Sequence, residues 1–310
     1  MEQRSIGSLS VSVVGLGCNN FGWRVDAAAT EKIVHAALDA GINFFDTADM
    51  YGGTHSEEFL GRALSRRRSE AVIATKFGWT IDDRRKGARP DYIRRAVEDS
   101  LRRLKIDRID LYQLHKPDPS VPIADTLEAL DALVRAGKVR EIGCSNFSVE
   151  QIRQAEAAVG TGAARFVSLQ NEYSLLHRDP ESGVLSECVQ RGIAFLPYFP
   201  LASGLLSGKY RKDQPAPPGT RLTSGGRFNG RLEGPNMDLA ERFAPFAAAR
   251  GRTLLELAIS WLAAQPAVAS VIPGATSSEQ VLANAAAAGW RLTADDLAAV
   301  NSIAQLPTNH

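Results

Sequence analysis

Four residues able to move or steady a proton stand just past short apolar runs of the chain: Asp46, Tyr51, Lys76 and His115. Asp46 closes the run Ile42-Asn43-Phe44-Phe45, with Tyr51 five residues on; Lys76 follows Ala71–Thr75, and His115 follows Ile109–Leu114. Later runs end in Ser145-Asn146, in Gln170-Asn171-Glu172 and in Tyr198. A buried lysine beside a phenol stabilises the phenolate, which predicts that the Tyr51 pKa falls from about 10 toward neutrality. A carboxylate beside that lysine keeps the ammonium charged despite burial. An imidazole across the site donates a hydrogen bond to a carbonyl oxygen. These are the parts of a proton-donating site for carbonyl reduction. Each alone also suits a structural role: Asp46 as a helix cap, Lys76 as a solvated charge, His115 as a satisfied core histidine. The weight rests on their joint placement.

That placement depends on the elements. Short β-branched runs alternate with amphipathic stretches of helical period, the rhythm of βαβ units on a parallel sheet. Eight such units run from Val11–Gly17 to Val268–Ile272. Eight units in about 300 residues predict a single-domain (β/α)8 barrel over 1–310, with chemistry at the C-terminal ends of the strands. The first helix is expected from Thr30, as N-cap, to a stop at Gly41; another runs from Ile123 to a stop at Gly137. After the seventh strand, Leu201 to about Asn236 holds seven Gly and four Pro, which reads as a long lid or binding loop.

Composition mainly excludes. In 310 residues, 36 Lys and Arg face 35 Asp and Glu, too balanced for a nucleic-acid binder. Three cysteines, Cys18, Cys144 and Cys188, make no disulfide framework. With no apolar leader and no 18-residue apolar run, the expectation is a cytoplasmic protein without membrane contact. Five histidines without a His-x-His pair at a strand end argue against a metallohydrolase, so no metal site is assigned. Gly15-Leu16-Gly17 begins like a dinucleotide fingerprint, but the third glycine is missing, and a rim loop carrying Cys18, Asn19, Trp23 and Arg24 is the better reading.

The chain resembles the aldo-keto reductases. The resemblance rests on Phe45-Asp46-Thr47-Ala48-Asp49-Met50-Tyr51-Gly52, Ala74-Thr75-Lys76, Asp110–His115 and Ile142–Phe147. It continues through Leu169–Ser174, Pro200–Tyr210 and Ile272-Pro273-Gly274-Ala275-Thr276 with Gln280 and Asn284. It covers about residues 5 to 305 and looks closer to the bacterial and potassium-channel-β-like branches than to the steroid-reducing one. The resemblance implies an NAD(P)H-dependent reduction of aldehydes or ketones, or the reverse, with Tyr51 as general acid, tuned by Lys76 and Asp46, and His115 orienting the substrate. It also leaves a cofactor-binding regulatory subunit with weak catalysis as the alternative.

Carried over residue by residue, Ser145, Asn146 and Gln170 hold the nicotinamide carboxamide and Tyr198 stacks on its ring. Lys209 and Arg221 stand near the phosphates; Gly274, Thr276, Gln280 and Asn284 take the adenosine end. Gly17, Cys18, Asn19, Phe199, Pro200, Leu201, Ser203 and Ile272 complete the cofactor wall. Spacing independently puts Gln280 and Asn284, four apart, on one helix face. Trp23, Trp79 and Tyr112 are the aromatic candidates for the substrate pocket. Two departures matter: Ala283 replaces a glutamate that contacts adenine, and 276–280 lacks an arginine for the 2′-phosphate. NADP(H) remains the preferred cofactor, with NAD(H) as the alternative. Physiological substrate, working direction and oligomeric state stay open.

Overall fold

The computed structural model describes residues 1–212, 214–217 and 235–305. It opens with an antiparallel hairpin, β1 (Gln3–Ile6) and β2 (Leu9–Ser12), where the sequence suggested that the first barrel strand already began at Val11. Ile6, Leu9 and Val11 of this hairpin pack against Phe44, Ala74, Leu111 and Leu196, so it plugs the ring with apolar side chains. The first parallel strand is the shorter β3 (Leu16–Gly17).

Parallel strands β4 (Phe44–Asp46), β5 (Val72–Phe77), β6 (Ile109–Leu114), β7 (Val139–Ser145), β8 (Phe166–Glu172) and β9 (Ala194–Tyr198) follow in sequential order beside β3. The run at 268–274 closes the ring through bridges rather than as a regular strand. Val268 bridges Phe195, Val271 bridges Val14 and Gly274 bridges Gly17, all parallel. The Gly17 amide donates to the Pro273 carbonyl at 3.0 Å, and Val271 N–H to Val13 O at 2.9 Å. The architecture is thus the expected (β/α)8 barrel.

Helices α1 (Ala27–Asp39), α2 (His55–Leu64), α3 (Pro90–Leu104), α4 (Ile123–Arg135), α5 (Val149–Ala158) and α6 (Val184–Arg191) connect the strands; α7 (Pro235–Ala248), α8 (Leu254–Ala263), α9 (Ser278–Ala286) and α10 (Ala294–Gln305) complete the shell. Gly41 and Gly137 take the left-handed conformation just past the last turns, as predicted. Thr30 is not the cap of α1. Asp26 is, accepting from the Ala29 amide at 2.8 Å, while the buried Thr30 hydroxyl donates to the Asp26 carbonyl one turn back. Half of the glycine- and proline-rich stretch after β9 lies outside the described residues; its described start turns through Ala202–Ser207 and passes Lys209.

Candidate active site

The register of the sheet delivers the reactive side chains. Asp46 pairs with Gly17 on one side and Ala74 on the other, and Lys76 pairs with Gln113. Lys76 is fully buried. Its Nζ donates to Asp46 Oδ2 at 2.6 Å and to the Thr47 carbonyl at 2.8 Å. Burial alone would lower the Lys76 pKa, but the Asp46 charge and the hydrogen bonds that the ammonium donates to Asp46 and Tyr51 outweigh it, and the ammonium is held above its usual value. Asp46 is itself pinned, because Oδ1 accepts Gln170 Nε2 at 2.9 Å and Gln113 Nε2 at 3.3 Å.

Tyr51 follows on the loop after β4, with Lys76 Nζ 5.1 Å from its ring centre. Its pKa does not fall as the sequence suggested. Burial raises it, and the Lys76 charge and hydrogen bond only partly oppose that, with Asp46 adding to the rise. The phenol therefore stays protonated at neutral pH, which is the form that donates. Across from it the His115 ring meets the Tyr51 ring edge-on, centres 5.8 Å apart, and Trp79 lies 5.1 Å away on another side. Burial, then Lys76 and Lys116, push the imidazole pKa well below its usual value. His115 is thus neutral, with one N–H to give, and its buried Nδ1 has no partner among the described residues.

These groups open onto a cavity of about 1610 Å³. That exceeds the 300–1,000 Å³ usual for a small ligand and has room for a dinucleotide beside a substrate. Asp46, Tyr51 and His115 line one part of it, above the buried Lys76. Ser145, Asn146, Gln170 and Tyr198 form a connected wall. Tyr198 Oη donates to Asn146 Oδ1 at 2.9 Å, Asn146 Nδ2 to the His115 carbonyl at 2.9 Å, and Ser145 Oγ to the Gln170 carbonyl at 2.6 Å. Asn146, Phe199, Ala202 and Ser203 all hold positive φ without being glycine, a concentration of strained backbone at this rim. Pro200, Leu201, Lys209 and Ile272 also face the cavity.

Beyond them, Gly17, Asn19, Gly274, Thr276, Gln280 and Asn284 line the far part. A Cβ on Gly274 would come within 3.2 Å of Asn19 Oδ1 and Asn20 Nδ2, tighter than an ordinary contact, so a side chain there would crowd this cradle. Ser277 caps α9 by accepting the Gln280 amide, and the Gln280 side chain accepts from Thr276 N–H at 2.9 Å. The wall of amides and hydroxyls, the aromatic Tyr198 and the glycine cradle fit a nicotinamide dinucleotide.

Two expected residues are placed otherwise, and a third is not described. Tyr112 is fully buried and stacked on Phe77, centres 4.7 Å apart; on β6 the side chains alternate, so Gln113 faces the barrel interior and Tyr112 the helices. Cys18 keeps its thiol in the core, where burial raises its pKa, and serves through its backbone, which accepts from Ser56 Oγ and donates to the Asp46 carbonyl. Arg221 lies outside the described residues. Trp23 and Trp79 do line the cavity.

Sequence reasoning missed Gln113 as the second anchor of Asp46. The signal was present, since Gln113 lies on β6 two residues before His115, which directly follows the strand, and period-two alternation puts the two on one face. It also passed over Lys116 and gave Glu172 no role, though both line the cavity. Among the described residues no cluster of three His, Cys, Asp or Glu could hold a metal, and no helix is long and apolar enough to cross a membrane.

Comparison with known proteins agrees with this geometry. The profile of the aldo/keto reductase family matches residues 13–305. Aldo-keto reductase YhdN of Bacillus subtilis (strain 168) is 33% identical over 314 residues, spanning 98% of this chain and 93% of its own. Aldo-keto reductase yakc [NADP(+)] of Schizosaccharomyces pombe is 34% identical, spanning 87% and 82%. The solved structure of the glycerol dehydrogenase AKR11B4 from Gluconobacter oxydans superposes with a TM-score of 0.85 at 33% identity, over 97% of this chain and 94% of that one. The match is nearly end to end at every level, and the chain belongs to the aldo/keto reductase family of oxidoreductases.

Proposed function

We propose that the chain works as one barrel domain that interconverts aldehydes or ketones and alcohols with NADP(H), Tyr51 exchanging the proton with the substrate oxygen. The observation that carries this reading is the buried Lys76–Asp46 pair, 2.6 Å apart, set against a protonated Tyr51 at the floor of a cavity of dinucleotide size. A nicotinamide held in this cavity would supply the hydride that the carbonyl carbon takes up. The protein's own part is positional and electrostatic. His115, neutral, donates to the carbonyl oxygen and holds it near the phenol. Tyr51 gives its proton to that oxygen, and the Lys76 ammonium stabilises the phenolate left behind. Asp46, pinned by Gln113 and Gln170, fixes the ammonium in place.

Ser145, Asn146 and Gln170 would hold the carboxamide and Tyr198 the ring face, while Gly274, Thr276, Gln280 and Asn284 take the adenosine end. The relative named for NADP(+) supports that cofactor, and Lys209 supplies positive charge to the same cavity. The likeness to a glycerol dehydrogenase makes small polyols part of any substrate screen, run in both directions. In such a screen Tyr51→Phe should lower kcat by about 10²–10⁴-fold, the usual contribution of a positioned general acid. Quenching of tryptophan fluorescence by NADPH should persist. Undiminished turnover in Tyr51→Phe would sink the mechanism.

A further inference from the structure

The cavity holds a cation that the proton chemistry does not use. Lys116 directly follows His115 and lines the same cavity, with its ammonium 5.0 Å from the centre of the Trp79 ring. Trp79 in turn leans over His115. No carboxylate of the described residues pairs with Lys116, in contrast to Lys76, which is neutralised by Asp46. The cavity carboxylate Glu172 sits instead in register with Tyr198, on the side read as the nicotinamide wall. Lys209 stands apart, its ammonium resting on Tyr210 after β9. Lys116 is thus an uncompensated charge on the substrate side, close enough to bear on the His115 imidazole.

The apolar surroundings narrow the class further. Trp23 is 57% exposed and Trp79 36%, and both border the cavity. Large aromatic rings left open around a cleft mark a surface that a ligand covers. A substrate whose carbonyl oxygen lies between Tyr51 and His115 would run its body past Trp79 and end near the Lys116 ammonium.

We propose that Lys116 is a specificity-determining residue that favours carbonyl substrates carrying a carboxylate on a flat, apolar body, of which an aromatic aldehyde acid is the simplest form. The proposal rests on the carbonyl-reductase reading for the position of the substrate oxygen. The ammonium acts on the whole substrate and not on the developing oxyanion, so its effect falls on KM more than on kcat.

The test compares 4-formylbenzoate with its uncharged methyl ester in the wild type, Lys116→Met and Lys116→Arg, at low and high salt. The preference for the acid over the ester, as a ratio of kcat/KM values, should fall about three- to thirtyfold in Lys116→Met, the range for a partly exposed charge-assisted contact. It should return in Lys116→Arg and shrink in high salt for the wild type. An equal acid-to-ester ratio in wild type and Lys116→Met overturns the proposal. A second readout needs no turnover: benzoate should quench tryptophan fluorescence saturably, with a Kd raised by a similar factor in Lys116→Met. If neither aldehyde is reduced, the carbonyl-reductase reading fails, and the benzoate titration still decides whether Lys116 binds carboxylates. A benzoate Kd indifferent to Lys116→Met counts against it.

Discussion

Strand β5 separates two buried ionic clusters that differ in one respect. On its inner face Lys76 pairs with Asp46; on its outer face Thr75 donates to Glu57 Oε1 at 2.6 Å, and Arg103 Nε donates to Glu57 Oε2 at 2.6 Å. Lys76 and Glu57 are both fully buried. The outer cluster also includes Asp49, 2% exposed, whose Oδ2 accepts the Tyr92 hydroxyl at 3.2 Å. Yet Asp46, Tyr51 and His115 open onto the cavity, and Glu57, Arg103, Asp49 and Tyr92 do not. Buried charge alone does not make a site. What distinguishes the inner cluster is a titratable donor that touches both the ion pair and the open space.

The sharpest way to break this contrast after the Tyr51 substitution is Arg103→Leu. It strands the Glu57 carboxylate in the interior with only the Thr75 hydroxyl, which costs about 3–5 kcal/mol of stability. The fall in urea midpoint should be large, while kcat per folded molecule holds. Adding Glu57→Gln to the same chain should recover much of the loss, because the orphaned charge and not the missing guanidinium carries the cost. If Arg103→Leu instead removes turnover at unchanged stability, the outer cluster belongs to the catalytic machinery and the contrast is wrong.

The inner cluster was legible because it sits at strand ends, where the sequence pattern fixes both position and face. Asp46, Lys76 and His115 each terminate a run whose register follows from period-two alternation and sequential pairing. The same alternation was available for Tyr112, and overlooking it put a core aromatic in the pocket. The outer cluster was not legible. Glu57 and Arg103 lie on helices 46 positions apart, and their meeting depends on how α2 packs on α3, which no local pattern encodes. The N-terminal hairpin was hidden for a related reason: its short strands read as one β-rich run continuous with the first barrel strand. The Tyr51 pKa was misjudged because the chemistry of a Lys–Tyr contact can be named from residue types, whereas the desolvation opposing it depends on packing.

A smaller effect sharpens the contrast through pH. Burial pushes the Asp49 carboxyl up to about 7, with the Glu57 charge adding to the rise and Arg103 and the Tyr92 hydroxyl opposing it. Asp49 Oδ1 has no partner among the described residues, as suits a carboxyl that keeps its proton. For an acid with a raised folded pKa, both states hold the proton below pH 4. Between about 4 and 7 the unfolded chain gives it up first, so stability falls as pH rises through that window. Asp49→Asn removes this penalty. Its stability relative to wild type should therefore improve from pH 4 to pH 8, by up to about 4 kcal/mol if the whole shift is expressed. Urea titrations at the two ends measure it. A pH-independent difference would mean that Asp49 ionises like an exposed aspartate.

The smallest expected effect bears on the face of β6 that the sequence misassigned. The Tyr112 hydroxyl is buried without a partner among the described residues, while its ring stacks on Phe77. Tyr112→Phe keeps the stack and deletes a polar group that gains nothing in the interior, so stability should stay level or rise by up to about 1 kcal/mol. Activity should not move, because Gln113, and not Tyr112, faces the barrel interior and Asp46. A tenfold loss of kcat/KM in Tyr112→Phe would place the ring against substrate after all. It would also mean that the sheet divides core from site less sharply than the two clusters indicate.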